Sequence, residues 1–359
     1  MQRAAGEESF QRHLDAGEVA LDDSATLLAA RAAAALSLPH NDPHAALAAR
    51  DKWVMREALR RGGVPVPDYR RYPLATDPAT VAGEVPFPVV VKPTRLSGSR
   101  GVIRANDAAA FARAWERTRS ILRREGASPD DDELLVECYL PGVEVALEGL
   151  LTGGALQTLA LFDKPDPLEG PFFEETIYVT PSRLPVETQA AISVRTAEAA
   201  AALGLREGPV HAELRINDEG VWLIEMAGRS IGGLCSTILE FGAGVSLEEL
   251  ILRHAVRLPL PTTERANDAA GVMMIPIPKG GMLRGVSGVA EASAVPGITG
   301  IEITAPLNQP ITPLPEGASY LGFIFARAAT PAAVERALRH AHAQLAFRIE
   351  PAISLALVD

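Results

Sequence analysis

Between Pro209 and Gly233 the chain reads PVHAELRINDEGVWLIEMAGRSIGG, with apolar and charged residues alternating before a turn and an apolar run after it. That period of two is the pattern of half-buried strands. His211–Ile216 and Val221–Met226 are therefore expected to pair as a hairpin across Asn217-Asp218-Glu219-Gly220. A three-residue hairpin loop commonly places a left-handed glycine as a bulge. With Gly220 in that part, Glu213 falls opposite Glu225. Side chains alternate across a strand, so His211, Glu213 and Arg215 are expected to share a face with Leu223, Glu225 and Ala227. Two directly opposed carboxylates repel and destabilise a sheet unless something neutralises them. A hard divalent cation such as Mg²⁺ is the usual remedy, because it prefers carboxylate oxygens and leaves positions open for phosphate. The other register would separate the two glutamates on a solvated face.

With 359 residues there is length for two or three structural units and an ample core. Apolar residues at 47% and charged residues at 22% match an ordinary soluble protein. No apolar run approaches the roughly 18 residues of a membrane span, and MQRAAGEESFQRHLDAGE lacks the apolar core of a signal peptide. Cys138 and Cys235 supply neither a disulfide framework nor a metal cluster, which fits a reducing cytoplasm. A net charge of −11 argues against general nucleic-acid binding. Among 34 basic residues only Lys52, Lys92, Lys164 and Lys279 are lysine. In a chain that uses arginine so freely, a retained lysine points to a need for a compact point charge.

Read in order, residues 1–40 resemble a fragment, with a short strand at Glu18–Asp23 and an alanine-rich helix Ser24–Leu38 capped by Ser24. These elements cannot bury their own apolar faces and must dock elsewhere. A helix Pro43–Arg61 follows, capped by Asp42 and stopped by Gly62-Gly63, with Lys52 on a face expected to be solvated. Phe87-Pro-Val-Val-Val-Lys92-Pro93 reads as a buried strand, and Val102-Ile103 resumes one after Thr94–Gly101. A glycine- and serine-rich loop after a strand lysine can wrap phosphates with its N–H groups. It lacks the spacing of a P-loop. Asn106 is expected to cap a helix Asp107–Glu125, and Ser128–Asp132 is a polar break. LLVECYLPGVEVALEG, 134–149, gives two strands about Pro141-Gly142, with Glu144, Ala146 and Glu148 on one face. Leu150–Phe162 is a hairpin about Thr152-Gly-Gly154, and Asp163–Leu184 a long proline-rich loop. Helices are expected at Val186–Leu203, Leu234–Phe241 and from Ser246 to Val256, with a linker at 257–268. The last part alternates strands (Gly271–Ile277, Ile298–Thr304, Tyr320–Ala326) with turns before a helix Pro331–Phe347.

A helix lysine, the strand lysine of VVVKP, the SGSRG loop, ECYLPGVE, HAE and IEMAGR occur in that order. This ordered set resembles the ATP-grasp superfamily of carboxylate–amine ligases over about residues 41–257. The LPGVEVALEG run, the FFEET loop and the C-terminal region look most like its amino-acid ligases. The resemblance implies an α+β fold of two subdomains clasping ATP, preceded by a remnant of an α/β domain at 1–40 and followed by a β-rich α+β lobe at 258–359. Between them lie a helix and linker at 41–85, a small nucleotide-clamping subdomain at 86–149 and a main subdomain with the metal site at 150–257. Most of the family's preceding α/β domain has no counterpart before residue 18.

The resemblance also assigns roles. Lys52 and Lys92 match the lysines that hold the nucleotide phosphates, and Gly98, Ser99 and Gly101 the loop that covers them. Glu137 and the backbone from Cys138 to Leu140 match the adenine-reading segment, and Glu144 the ribose-contacting carboxylate. Glu213 and Glu225 match the pair that binds Mg²⁺ or Mn²⁺. Arg229 matches the arginine that meets the transferred phosphoryl group or the substrate carboxylate. His211 stands where many relatives have arginine and is counted with Arg229 and Lys92 as catalytic, while Lys164 is placed to reach phosphate. Ala227 departs from the asparagine that often follows the second metal glutamate. Glu174, Glu175, Tyr178, Arg215 and Met282–Arg284 are candidate selectors of substrate.

A carboxylate is a poor electrophile, so the implied first step moves the γ-phosphoryl of ATP onto it. An amine then attacks the acyl phosphate and an amide forms. The implied partners are small-molecule acids and amines, amino acids foremost. Homodimers are common in the family, although no stretch marks a dimer surface. Two other readings stay open: an ATP-binding regulatory protein without turnover, and another ATP-grasp activity such as biotin carboxylation.

Overall fold

A computed structural model describes residue 20 and residues 23–126, 133–242 and 244–351. The expected strand at 18–23 lies mostly outside the described residues, and the capping side chain of Ser24 and the break at 128–132 lie wholly outside them. The chain forms two compact units, each assembled from three separated stretches. The first takes Met1–Pro67, Leu140–Asp163 and Pro181–Asn267; the second takes Asp68–Tyr139, Lys164–Thr180 and Asp268–Asp359.

In chain order the first unit opens with α1 (Asp23–Ala35), α2 (Pro43–Arg50) and α3 (Lys52–Arg61). The second unit then contributes β1 (Tyr69–Pro73), α4 (Pro78–Ala82), β2 (Val89–Pro93), β3 (Ile103–Ala105), α5 (Ala108–Arg124) and β4 (Glu133–Cys138). Returning to the first unit, the chain forms β5 (Val143–Thr152) and β6 (Ala155–Asp163), and β7 (Ile177–Thr180) belongs to the second. The first unit is completed by α6 (Val186–Leu203), β8 (Gly208–Asn217), β9 (Gly220–Ala227), the short strands β10 (Glu240–Phe241) and β11 (Val245–Ser246), and α7 (Leu247–Ala255). The second ends with β12 (Ala269–Ile275), β13 (Gly281–Ser287), α8 (Val289–Ser293), β14 (Ile298–Glu302), β15 (Pro310–Ile311), β16 (Gly322–Ala328), α9 (Pro331–Gln344) and β17 (Ala346–Glu350).

The first unit is built on antiparallel strands in the order β6–β5–β8–β9. Alternation sends Val145, Leu147 and Leu151 of β5 and Val210, Ala212 and Leu214 of β8 to one face. There they pack against Met55 and Leu59 of α3 and against Ile192, Ala199 and Leu203 of α6. The alternate residues of β5 and β8 are left to form a polar face. In the second unit a small sheet runs β1–β4–β2–β3, with Val89, Val91, Leu134 and Val136 packed on Phe111 and Trp115 of α5. A second core lies between β7, β12, β16 and β14 and the buried side of α9.

Several local expectations change. The single helix Pro43–Arg61 is two helices, because Asp51 is extended (φ −100°, ψ 113°) and its carboxylate accepts from the N–H groups of Trp53 and Val54. A short polar side chain that bonds nearby amides favours a new helix start over continuation. The cap of α5 is Asp107, which accepts from Ala110 N, while Asn106 accepts from Arg104 Nε. The supposed loop Asp163–Leu184 contains β7, which pairs with β12. Leu234–Phe241 is a short 3₁₀ turn followed by a strand, because Leu239 turns extended. The strands β13 and β17 were not anticipated; their mixed burial hides the alternation.

The hairpin β8–β9 has the expected pairing of Glu213 with Glu225, reached differently. Asn217 pairs with Gly220, so the loop has two residues, and the extra residue lies at Ile224, between the Leu214–Leu223 and Glu213–Glu225 pairs. This bulge turns Leu223 to the core with Met226, three positions on, instead of onto the face of Glu225. Arg56 of α3, 1% exposed, donates from Nη2 to the Ile224 carbonyl at 2.9 Å. Replacing Arg56 with methionine removes a buried charge-assisted bond and is expected to cost about 2 kcal/mol. Urea unfolding followed by circular dichroism checks this.

Candidate active site

The polar face of the first unit is a ladder of opposite charges set by strand register. On β5 and β8, Glu144 stands opposite Arg215, Ala146 opposite Glu213 and Glu148 opposite His211. Across the hairpin Glu213 faces Glu225 and His211 faces Ala227. Arg215 Nε donates to Glu144 Oε2 at 2.8 Å, and Arg215 Nη1 to the Leu140 carbonyl at 2.7 Å. Both partners of the Arg215–Glu144 pair are buried. Lys52 meets this face from the first turn of α3, with Nζ 3.2 Å from Glu225 Oε1. The helix break at Asp51 sets that position, and contrary to expectation Lys52 is buried, 6% exposed. Lys52 and Arg56 lie one turn apart and hold neighbouring parts of β9, the carboxylate of Glu225 and the carbonyl of Ile224.

His211 is buried between two carboxylates of the face. Its Nδ1 lies 2.5 Å from Glu148 Oε1 and its Nε2 3.6 Å from Glu213 Oε1. Burial works against the charged ring, but Glu148 and Glu213 outweigh it and push the pKa up to about 9. The imidazole is thus a cation at neutral pH, a counter-charge in place of a general base. Glu148 is fully buried and also accepts the N–H of Ile231 at 3.2 Å. Sequence reading placed Glu148 on this face without a role, because the partner strand of β5 is not visible in sequence.

Arg229 follows β9 and is held by a residue that sequence reading missed. Its Nε and Nη2 donate to Asp23 of α1 at 2.8 and 2.6 Å, and its Nη1 to the Ser230 carbonyl at 2.8 Å. Burial opposes its charge, and Asp23, Glu225 and Glu148 together raise its pKa.

In the second unit Lys92 of β2 and Glu137 of β4 form a buried ion pair on the face of the small sheet away from α5. The N–H groups of Cys138 and Tyr139 are taken by the carbonyls of Asp68 and Pro88, at 2.8 and 3.0 Å. Burial raises the Cys138 thiol, with Asp68 and Glu137 adding to it. Gly98, Ser99 and Gly101 all have left-handed backbone, φ 62°, 55° and 68°. The Gly101 N–H donates to the Pro315 carbonyl at 2.9 Å, and Arg117 grips Glu316 beside it through two bonds of 2.6 and 2.9 Å. A side chain at Gly98 would bring its Cβ within 3.1 Å of the Ala318 Cβ. Lys164 is buried and paired with Glu175, which also accepts from the Tyr178 hydroxyl at 2.6 Å. Burial raises the Glu174 carboxyl, which accepts a backbone N–H bond from Ile277.

The structure therefore groups Lys52, Glu144, His211, Glu213 and Glu225 on one face of the first unit, with Arg229 bonded to α1 just beyond β9. It groups Lys92 with Glu137 and, separately, Lys164 with Glu175 in the second. Facing glutamates offer hard oxygen donors, and their neighbours are cations that tolerate high local negative charge, so this donor set fits Mg²⁺. Both buried lysines, Lys52 and Lys92, suit phosphate oxygens.

Residues 85–238 match the ATP-grasp domain family, and residues 273–350 match the L-amino acid ligase C-terminal domain 2 family. Residues 85–238 are thus an ATP-grasp domain. The C-terminal part of the chain is of the kind found in L-amino acid ligases. The chain is similar to the crystal structure of L-amino acid ligase from Bacillus licheniformis, with a TM-score of 0.81 and 26% identity over 98% of this chain and 86% of that one. It is 31% identical over 182 residues to the D-alanine–D-alanine ligase of Aromatoleum aromaticum, covering 50% of this chain and 55% of that protein. With the alanine–anticapsin ligase of Bacillus subtilis it shares 27% identity over 239 residues, 62% of this chain and 50% of the relative. The chain spans 50% to 64% of the length of such curated relatives. Among the described residues no helix is long and apolar enough to cross a membrane.

His211 makes stability depend on pH in a definite direction. Its folded pKa of about 9 lies above the ordinary 6.5. The stabilisation is fully present below about pH 6.5 and is lost as pH rises through about 9. In metal-free buffer the melting temperature is expected to fall across that window, and the fall should be absent in His211→Gln. Thermal scans by differential scanning fluorimetry provide the check.

Proposed function

We propose that this chain is an ATP- and Mg²⁺-dependent ligase that joins an amino-acid carboxylate to an amine, forming a peptide-type bond through an acyl phosphate. The observation that carries this reading is the facing pair Glu213 and Glu225, with Lys52 bonded to one carboxylate and His211 beside the other. By name, two of the relatives are ligases of alanine or D-alanine, which favours amino acids as both substrates. Nucleotide chemistry and two free cysteines suit the cytoplasm.

Glu213 and Glu225 would hold Mg²⁺, which when bound offsets charge on the phosphoryl oxygens. Lys52 and Lys92 bind phosphate oxygens, each exchanging its present carboxylate contact for them. The Leu140 N–H, which has no partner among the described residues, suits a ring nitrogen of adenine, and Glu137 and Glu144 hold the rest of the nucleoside. Gly98, Ser99 and Gly101 shape the loop over the phosphates. The Gly101 amide is bonded to Pro315, so that bond exchanges before the amide meets phosphate. Lys164 reaches phosphate from its pairing with Glu175.

In the first step a substrate carboxylate oxygen attacks the γ-phosphorus and the bond to the β-phosphate oxygen breaks, releasing ADP. Arg229 stabilises the spreading charge on the phosphoryl oxygens. The imidazolium of His211 adds positive charge and keeps Glu213 and Glu148 in place. In the second step the amine attacks the acyl carbon, the bond from that carbon to the phosphate oxygen breaks, and inorganic phosphate departs with the amine's proton. Excluding water protects the acyl phosphate from hydrolysis.

The test is ADP release with ATP, MgCl2 and pooled L-amino acids, with products read by mass spectrometry. Amino-acid-dependent ADP and a dipeptide mass are expected. Glu225→Gln is expected to lower turnover about 10²-fold or more while the protein stays folded by circular dichroism. Nucleotide binding without amino-acid-dependent ADP would overturn the ligase reading in favour of a non-catalytic nucleotide binder.

A further inference from the structure

We propose that Asp23 is a positioning residue for phosphoryl transfer, fixing the guanidinium of Arg229 by one edge so that its remaining N–H groups meet the phosphoryl oxygens. This rests on the ligase reading of the site given above. Arg229 is bound at Nε and Nη2 by the two oxygens of Asp23, a fork-to-fork contact between residues 206 positions apart. Such bidentate pairing fixes the plane of the group as well as its place. Nη1 makes a third bond, to the Ser230 carbonyl of the adjoining loop. A guanidinium carries five N–H donors in one plane. Three are committed, which leaves one N–H on each terminal nitrogen.

The surroundings fit a group that is oriented for a ligand. The Arg229 side chain is 15% exposed and that of Asp23 24%, so the pair is shielded more than a typical surface ion pair. Asp23 lies in the first turn of α1, and the Thr26 hydroxyl donates to its carbonyl at 3.0 Å, which steadies that turn. The charge of Arg229 is also felt by Glu225 and Glu148, two carboxylates of the polar face. A flexible arginine pulled directly onto Glu225 would neutralise one carboxylate of the metal pair. Asp23 holds the guanidinium through Nε and Nη2 while leaving one N–H on each terminal nitrogen. The aspartate thereby sets where positive charge stands before nucleotide binds, which is what preorganised electrostatic catalysis requires.

The experiment uses the full chain with Asp23→Asn, Asp23→Ala and Asp23→Glu. Turnover is measured as ADP release with pooled L-amino acids, and binding of ADP and of the non-hydrolysable ATP analogue AMP-PNP by calorimetry in MgCl2. The Asn variant is expected to lose about tenfold or more in kcat. It should also lose the wild-type preference for AMP-PNP over ADP, because that preference reads the terminal phosphoryl group. The Glu variant, which keeps the fork, is expected to recover part of both. Adding Asp23→Asn to Arg229→Lys should cost nothing further. Unchanged kcat, or a lowered melting temperature with the AMP-PNP preference intact, would overturn the assignment and leave Asp23 a structural partner. A wild type that binds neither nucleotide overturns the ligase reading itself and the assignment with it. A wild type that binds both without preference overturns the assignment alone.

Discussion

Two carboxylates brought face to face on a sheet repel, and the first unit is arranged to hold them there. Glu213 and Glu225 are register partners because β9 carries one extra residue at Ile224. That bulge is gripped through its carbonyl by Arg56, while Lys52, one turn earlier on the same helix, bonds Glu225. The opposite face of the same strands is closed by apolar contacts with α3 and α6. One short helix therefore does two jobs: its apolar side completes the core, and its two cations reach past the strand edge to hold the pair in place. An ion pair in such a setting adds little net stability once desolvation is counted. Its value lies in fixing geometry.

The second unit solves a related problem with different parts. Lys92 is buried and would be costly alone; Glu137 on the neighbouring strand makes it tolerable. The glycine loop beyond it is shaped by three departures into left-handed backbone, two at glycine and one at Ser99. Its last amide is bonded to Pro315, and Arg117 pairs with Glu316 next to it. The segment at Pro315 thus takes part in shaping the glycine loop, a connection between positions more than two hundred residues apart.

Much of this could be read in the amino-acid order, because most of the information was local. The strand lysine, the glycine loop, the hairpin and the helix Val186–Leu203 depend on neighbours within a few positions, and their motifs appear in a recognisable sequence. The hidden parts depended on choices between near-equal local options or on distant partners. Gly220 was expected to supply the bulge, and Ile224 does so instead; the core's demand for both Leu223 and Met226 decides it. Asp51 looked like an ordinary residue inside a helix, yet its side chain captured two amides and divided it. Asp23, Glu148 and Arg56 act through residues far along the chain, and no spacing in the sequence signals them. The strand β7 was masked by prolines and by a partner, β12, that arrives almost a hundred residues later.

The division at Asp51 has a consequence for how the chain tolerates change. In one continuous helix, adding or removing a residue in the first half would rotate every later side chain by about 100°. Lys52 and Arg56 would swing away from β9. Because Asp51 is extended and starts α3 afresh, the direction of Lys52 is set by that cap and by the turn of helix it begins. A change of helical phase in the segment before it would therefore not by itself turn Lys52 away from Glu225. A single aspartate thereby closes one helix and sets the direction of the next.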